Sequence, residues 1–395
     1  MKMLIRIRKN ETLYLFGYFL MGLSAIVIGN SYLFGVNRFQ ICKVVQYIAA
    51  VFFLLSFSVG KYKITDFMKL FLFACTILIS AAFMHNITFA LYGLSIVTSI
   101  HINTRKIIKS SVINNAIFLA IVVIPALLGV IPDDIYYHGD MKAHCLGFAY
   151  YSNIPYIVLM ETIMIYWLIR SKKAELLFLI LSFPVHILIY KICTVRLVLY
   201  VYILFIMSIS IIGIIKKKKK QHKILNCIAT VLYPVTAALV VMASFQYKSS
   251  SLLSALNIII NYRLKFNLQG FEQYGISLFG QKIVSAEEYI DENFVNHYFY
   301  IDCGYVYMLI GYGLLLFVVI MLMYTLLSRY AAVNNDVKLM SWCFTICVFS
   351  IINNIMFNTA LNPLLILGIK ILLSNYSGYK TIYGSHEENV RIVKV

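Results

Sequence analysis

The sequence predicts an all-α integral membrane protein with about twelve transmembrane helices. Of its 395 residues, 61% are hydrophobic and only 13% are charged, whereas a soluble domain typically has about 25% charged residues. Apolar stretches of roughly the length that crosses a bilayer alternate with short basic segments along the chain. These observations exclude the soluble classes of protein.

The first predicted span follows a basic N-terminal segment, which should remain in the cytoplasm. A signal peptide is disfavoured because the apolar run is long and lacks a small-x-small cleavage site. The later spans are comparable runs, of which the fourth and the last are short. The predicted spans cover approximately residues 13–28, 44–60, 67–84, 86–101, 111–131, 154–170, 174–191, 196–215, 224–243, 304–326, 339–357 and 360–375.

The basic residues are distributed unequally between the two predicted sides. With the N-terminus inside, about 25 of the 34 Lys and Arg residues lie in cytoplasmic segments and about 9 lie outside. This bias predicts a multi-pass protein of the cytoplasmic (inner or plasma) membrane with both termini in the cytoplasm. The net charge of +18 does not indicate nucleic-acid binding, because the basic residues stand between spans. We interpret the lysine run at 216–220 as a topology anchor that meets anionic lipid.

The predicted organisation has four parts. Residues 1–243 form a membrane domain with spans one to nine, and residues 244–303 form a large extracytoplasmic loop with short helices. Residues 304–376 hold spans ten to twelve, and residues 377–395 form a cytoplasmic tail. The loop is the only long polar interval, so we expect the active-site region there. It has no counterpart in the first half, which argues against an inverted-repeat transporter.

Three cationic residues on the predicted outer face are candidates for binding phosphate. Arg196 lies at the outer mouth of the eighth span, and Arg263 and Lys282 lie in the long loop. A guanidinium group is planar, permanently charged and bidentate, which suits phosphate oxygens. The alternative is a snorkelling or interfacial role for each Arg and a plain surface position for the Lys.

Two residues before the tenth span are candidates for proton transfer. His297 could act as a base near neutral pH, or it could be an interfacial hydrogen-bonding histidine. Asp302 borders an apolar span and therefore needs a partner, for which Arg196 and Arg263 are the candidates. A structural ion pair and a catalytic role are both open for Asp302. On one continuous helix the five-residue spacing would put His297 and Asp302 about 140° apart, so we treat them separately.

No metal site is predicted. The eight Cys residues show no CxxC spacing, and most lie inside apolar spans. The acidic residues between 287 and 292 are interpreted as a solvated surface. Aromatic residues crowd both outer loops, Tyr305 among them. They are typical of an interfacial tyrosine belt, and they would also suit stacking on sugar rings.

Four local patterns occur in order between residues 143 and 313. They are AHCLGFAYYSN at 143–153, TVR at 194–196, NYRLKFNLQGFEQYGISLFGQKI at 261–283 and HYFYIDCGYVYMLIGYG at 297–313. With these patterns and about twelve spans, the chain resembles the Wzy-type repeat-unit polymerases of capsular polysaccharide and O-antigen synthesis, which are related to the O-antigen ligases. Two positions depart from the family pattern, since Ser152 stands where Pro is usual and Val195 replaces Ser.

The resemblance implies a membrane glycosyltransferase of GT-C-like architecture with one large outer-face loop. Such enzymes join undecaprenyl-diphosphate-linked oligosaccharide repeat units on the outer face of the membrane, and neither a cofactor nor a metal is expected. The expected partners are the lipid-linked oligosaccharide, membrane lipid, and a chain-length regulator and flippase of the same pathway. The expected catalytic residues are His297 and Asp302, and the expected substrate-binding residues are Arg196, Arg263, Lys282, Tyr305 and Asn153.

Three other classes remain open. A ligase that moves finished glycan to another acceptor would differ only in that acceptor. A flippase or secondary transporter would have charged residues inside spans and paired broken helices, and Glu161 is the clearest acidic residue inside a span. A membrane O-acyltransferase would need a His or His–Asp site inside the bundle. His186, inside the seventh predicted span, is a candidate for such a site, and we interpret it as a residue that pairs two helices.

Overall fold

The computed structural model describes residues 2–60, 62–138, 141–217, 222–284 and 299–373. This part of the chain is mainly helical. Its α-helices are α1 (Lys2–Gly22), α2 (Arg38–Val59), α3 (Ile64–Met84), α4 (Ile87–Thr98), α5 (Thr104–Leu127), α6 (Asn153–Leu168), α7 (Lys172–Cys193), α8 (Arg196–Lys217), α9 (His222–Gln246), α10 (Ser251–Ile259), α11 (Arg263–Tyr274), α12 (Gly304–Tyr307), α13 (Leu314–Val333), α14 (Val337–Phe349) and α15 (Leu364–Leu373).

The helices confirm the predicted class of multi-pass membrane protein. Within the described ranges, eight helices are long and apolar enough to cross a membrane. Four more apolar helices are shorter, at 10–17 residues, and they coincide with predicted spans four, six, eleven and twelve. The eight long candidates are Asn10–Ile28, Arg38–Val59, Ile64–Met84, Thr104–Leu127, Lys172–Cys193, Arg196–Lys216, Lys223–Gln246 and Leu314–Val333.

The predicted tenth span is not one continuous helix. After α12 the chain forms a π-helix over Met308–Tyr312 and breaks at Gly313, whose φ is +88°, before α13 begins. A segment of the long loop crosses the break, where the Leu314 N–H donates to the Ser277 carbonyl at 2.9 Å. The loop supplies the partners that a continuous helix would have supplied, so the interruption leaves these backbone groups bonded.

The last two predicted spans, 339–357 and 360–375, are helical only in part. The end of the first and the start of the second are not helical, so the prediction is wrong there. Helix α14 ends at Phe349 and α15 begins at Leu364. The residues between them, 350–363, have no regular structure, yet most are buried. We call them the buried irregular segment. Non-helical backbone is tolerated at membrane depth only where protein or a water-filled cavity satisfies its polar groups.

Side chains from distant helices bond the carbonyls of the buried irregular segment. Tyr18 of α1 donates to the Thr359 carbonyl at 2.6 Å, and Tyr324 of α13 donates to the Met356 carbonyl at 2.7 Å. Ser111 of α5 donates to the Ala360 carbonyl at 3.3 Å. The segment is thus held by several helices that are far apart in the sequence, in place of the local bonds of a helix.

The expectation of an all-α protein needs a small correction on the predicted outer side. Strands β1 (Ile135–His138) and β2 (Met141–His144) pair antiparallel, with Tyr136 opposite Ala143. The hydroxyl of Tyr32 donates to Asp134 at 2.6 Å and fixes this hairpin to the loop after α1. The hairpin leads directly into the start of α6.

Segments predicted on the same side of the membrane contact one another. At the end with the basic segments, Lys106 pairs with Glu11 at 2.6 Å, and Arg105 and Lys338 donate to the last carbonyls of α6. The opposite end gathers the hairpin, the α7–α8 turn, α10, α11 and the start of α12, and we call it the loop end. The contacts are therefore consistent with the predicted alternation of spans.

Gly280, whose φ is +89°, lets the loop cross the helix break, and it gives a direct test of this contact. A Cβ atom at Gly280 would lie 2.0 Å from the Gly311 carbonyl oxygen. Gly275 also has a positive φ, +67°, but a Cβ there would meet nothing within 4 Å. We expect Gly275→Ala to lower the free energy of unfolding by about 1–3 kcal/mol from backbone strain alone. Gly280→Ala should lower it by clearly more, because a backbone clash adds to the strain of its own positive φ. Thermal unfolding of the detergent-purified variants measures both, and equal losses would contradict the close crossing.

Candidate functional site

Arg263 is placed by an unusual turn at the start of α11. Asn261 and Tyr262 both adopt left-handed backbone conformations, with φ of 57° and 60°. The side chain of Asn257 in α10 then accepts hydrogen bonds from the Leu264 N–H at 3.0 Å and the Lys265 N–H at 3.3 Å. These bonds occupy backbone donors that the first turn of a helix leaves free. As a result, the first residue of α11 points into the protein.

The guanidinium group of Arg263 is buried and held on three sides. Its Nε donates to the Ile352 carbonyl at 3.0 Å, and its Nη1 donates to the Ile260 carbonyl at 2.9 Å. Its Nη2 lies 2.8 Å from Oδ2 of Asp302. These contacts use three of the five N–H donors of the group. Of the two candidate partners for Asp302, the structure selects Arg263.

Asp302 is the more accessible member of this ion pair. Its side chain is 35% exposed, compared with 9% for that of Arg263. Burial raises the pKa of Asp302 above its ordinary value, and the adjacent Arg263 lowers it in part. The residue is fixed from its C-terminal side, since the Gly304 N–H donates to the Ser350 carbonyl at 2.8 Å. The result is an oriented carboxyl group that can still reach a ligand.

The start of α6 lies next to this ion pair. Both Tyr151 and Tyr156 interact electrostatically with Arg263 and with Asp302. The pKa of Tyr151 is raised, mainly by burial and further by Asp302, while Arg263 opposes the shift. The phenol is therefore a hydrogen-bonding group at neutral pH. Two tyrosines thus lie near the ion pair of Arg263 and Asp302 at the loop end.

Asn153 is the first residue of α6 and brings an unused donor to the loop end. Its buried Nδ2 has no hydrogen-bond partner in the described parts of the chain. Ser152, the residue before Asn153, makes no side-chain capping bond. The N-terminus of a helix carries partial positive charge and free N–H groups, which favour an anion. The start of α6 therefore adds donors near Asp302 without adding a charged side chain.

Arg196 reaches the same turn as Arg263 from a different helix. Helix α7 ends at Cys193 and is capped by Thr194, which has φ of 56°, and Arg196 begins α8. The Arg196 Nη2 donates to Oδ1 of Asn261 at 3.2 Å, in an exposed position. The two arginines therefore contact one turn from opposite directions, Arg196 from the surface and Arg263 from the interior.

The remaining predicted residues are distributed differently from the expectation. Lys282 is exposed in the segment that follows the Gly280 crossing. Tyr305 is fully buried, and its hydroxyl donates to the Cys347 carbonyl at 2.9 Å, so it packs the core and does not face the loop end. The expected substrate contact at Tyr305 is therefore not supported by its position. His297 and the acidic residues between 287 and 292 lie outside the described residues.

The residues that flank the polar interval 285–298, which contains His297, both contact the side chain of Tyr274. The Tyr274 hydroxyl accepts a hydrogen bond from the Val284 N–H at 3.1 Å. The Phe299 ring stacks on the Tyr274 ring, with centroids 6.0 Å apart. The last described residue before the interval and the first one after it thus both contact Tyr274, at the C-terminal end of α11.

Sequence reasoning missed several groups that build the loop end. Asn257, Tyr156 and the carbonyl of Ile352 were not candidates, although each contributes to placing or surrounding Arg263 and Asp302. The pair of His144 and Asp133, with Nδ1 and Oδ2 2.7 Å apart, was also missed. Among the described residues, no group of three or more His, Cys, Asp or Glu side chains could hold a metal ion.

The chain was compared with known proteins. No family model matches it, and the comparisons with curated proteins and with solved structures likewise find no match.

The Arg263–Asp302 pair predicts a pH-dependent effect on stability. A carboxyl group whose pKa is raised in the folded state stabilises the fold fully below its ordinary pKa, and this contribution is lost as pH rises through the folded-state value. Arg263→Gln removes the charge that lowers the pKa, so the loss should become larger. We expect a cost of about 1–3 kcal/mol at pH 7, below that of a fully buried pair, and a smaller cost at pH 4.

Thermal unfolding at the two pH values measures this difference. The matched control is Arg263→Gln in an Asp302→Asn background, where the cost should be smaller and independent of pH over this range. A cost of Arg263→Gln that is the same at pH 4 and pH 7 in the otherwise native chain would contradict the assigned pairing.

Proposed function

We propose that the protein is a polysaccharide polymerase that joins undecaprenyl-diphosphate-linked oligosaccharide repeat units at the loop end. The growing glycan would move from its lipid diphosphate to a lipid-linked acceptor unit. The observation that carries the proposal is the oriented, partly exposed carboxyl group of Asp302, held by the buried Arg263. The resemblance of the patterns between residues 143 and 313 supports the substrate class.

Asp302 has the geometry of a proton acceptor for the attacking sugar hydroxyl. A hydroxyl group is a weak nucleophile, and a positioned base assists its attack. Arg263 fixes the carboxyl group by an ion pair of 2.8 Å, while its other bonds to backbone carbonyls keep it in place. In this proposal Arg263 acts mainly as a positioning residue, and Asp302 is the group that touches the acceptor.

The leaving diphosphate needs positive charge more than it needs a proton, because it departs as a stabilised anion. Arg196, exposed at the same turn, can supply that charge, and so can the N-terminus of α6 with the free Asn153 amide. Tyr151 and Tyr156 lie near Asp302, and Tyr151, which precedes α6, can offer its phenol group to a sugar. The lipid tail could stay in the bilayer while its headgroup reaches this end of the bundle.

A flippase or secondary transporter is the second candidate, and one observation favours it. The break at Gly313 and the buried irregular segment give the bundle two interrupted regions, which are common in transporters. The site described above lies at the loop end, however, and not midway along the spans. A ligase acting on finished glycan would use the same chemistry with another acceptor.

The three functions predict different lipid-linked glycans in cells that lack the protein. A polymerase leaves single repeat units on undecaprenyl diphosphate, accessible from outside. A flippase leaves single units on the inner face, and a ligase leaves long polymer on its lipid carrier. If the lipid-linked glycans of these cells are unchanged, the polymerase, flippase and ligase proposals would all be refuted.

Substitutions at the loop end test the residues of the proposed site. We expect Asp302→Asn to lower polymer synthesis by about 10²–10⁴-fold through loss of the base, and Arg196→Ala by about 10²-fold through loss of anion stabilisation. Arg38→Ala is the matched control, because Arg38 begins α2 on the predicted outer side and lies over the Phe39 ring, at 4.9 Å. The glycan profile at equal membrane protein levels is the measurement. Normal polymer length in both site variants would refute the assignment.

A further inference from the structure

One carboxyl group inside the bundle faces no counter-charge from the parts of the chain that the structure describes. Glu161 is in the middle of α6 and is only 8% exposed. Among the described residues, no Lys, Arg or His forms an ion pair with it, and its Oε1 has no hydrogen-bond partner. Asn115 of α5 is near enough to interact with the carboxyl group, yet its Nδ2 is likewise unbonded. Each of these two buried side chains therefore has an unsatisfied polar atom.

The helices around Glu161 present other polar and aromatic side chains, and among them the Nε1 of Trp342 has no hydrogen-bond partner in the described part of the chain. Tyr18 of α1 interacts electrostatically with Glu161, but its hydroxyl donates to the Thr359 carbonyl at 2.6 Å. On α7, His186 bonds the hydroxyl of Thr162 at 3.1 Å and stacks on Tyr202 of α8, with ring centroids 3.8 Å apart. Helix α14 presents Trp342 and Phe349, which pack on the rings of Trp167 and Tyr156 of α6.

A lone carboxylate in such surroundings would be costly. Moving an unpaired charge out of water costs several kcal/mol even after relaxation, and acidic groups in this situation are neutralised or bind a cation. Ionisable residues inside membrane helices are accordingly functional candidates. The neutral carboxylic acid keeps an O–H donor and a carbonyl acceptor, which match the amide of Asn115 after a small shift.

We propose that Glu161, with Asn115, is a proton-binding site inside the bundle. The carboxyl group holds its proton while α5 and α6 are packed as described, and it releases the proton to water only when that contact opens. The site lies eight residues along α6 from Asn153, about 12 Å at the rise of an α-helix. It does not depend on the proposed glycan chemistry, and its ligand is the proton.

Stability measurements test the protonation state without a substrate. Glu161→Gln replaces the carboxylic acid by a neutral side chain of the same shape. If the acid is neutral in the fold, the two proteins should melt within about 2 °C of each other at pH 5, and the native chain should lose stability relative to Glu161→Gln as pH rises to 8. A native chain that instead gains stability over Glu161→Gln as pH rises, or keeps a constant difference, would overturn the proposal.

Chemical labelling provides a second readout at the residue itself. Dicyclohexylcarbodiimide takes up a protonated carboxyl group across one of its C=N bonds, and the O-acylisourea rearranges to a stable N-acylurea with no group lost. We expect one adduct on the α6 peptide at pH 6, at least 10-fold weaker at pH 9, and absent in Glu161→Gln. An adduct whose yield does not change with pH would contradict a proton that titrates there.

Sodium ions distinguish the proton from the other small cation that a carboxylate takes. Labelling at constant pH should be the same in sodium chloride and in choline chloride of equal ionic strength. Protection by sodium alone would assign the site to a metal cation and overturn the proton assignment. If no adduct forms on the native chain, the test rests on how the difference in melting temperature between the native chain and Glu161→Gln changes with pH.

Discussion

The structure depends on satisfying backbone hydrogen bonds where the chain is not helical inside an apolar bundle. The buried irregular segment exposes carbonyl groups that lipid cannot bond and that water reaches poorly. Each unsatisfied group would cost several kcal/mol. Hydroxyl groups from α1, α5 and α13 meet these carbonyls, together with the guanidinium of Arg263. Several helices of the bundle thus contribute side chains that satisfy the carbonyl groups of one short stretch of backbone.

This constraint links packing to the candidate site. Arg263 bonds the carbonyl of Ile352 in the buried irregular segment and also pairs with Asp302. A single side chain therefore fixes both the interior of the bundle and the carboxyl group that faces the loop end. Long sequence separations bring these groups together, since Arg263 and Ile352 are 89 positions apart. The same side chain therefore connects the loop end to the interior of the bundle.

The sequence predicted the class of protein and the places of the long helices. Hydropathy measures only how apolar a stretch is. It therefore predicts continuous spans over 304–326, 339–357 and 360–375 and cannot detect that the helices are interrupted there. The breaks are made possible by partners from elsewhere, such as Tyr324 for the Met356 carbonyl. For the same reason the aromatic pattern places Tyr305 with the outer loops, whereas in the structure its hydroxyl donates to the Cys347 carbonyl in the core. Arg263 was one of two partners foreseen for Asp302, and only three-dimensional contacts could choose between them.

The anchoring of the loop at Tyr274 bears on how such a chain can diversify. The interval of residues 285–298 is bounded by Val284 and Phe299, which both contact the same tyrosine. In general, the free energy of closing a loop grows only with the logarithm of its length, about 0.6 kcal/mol for each doubling. Insertions and deletions between these two anchors would therefore leave the bundle and the Arg263–Asp302 pair almost unaffected. Because both anchors contact one side chain, the number of residues between them can change without changing the two contacts that bound the interval.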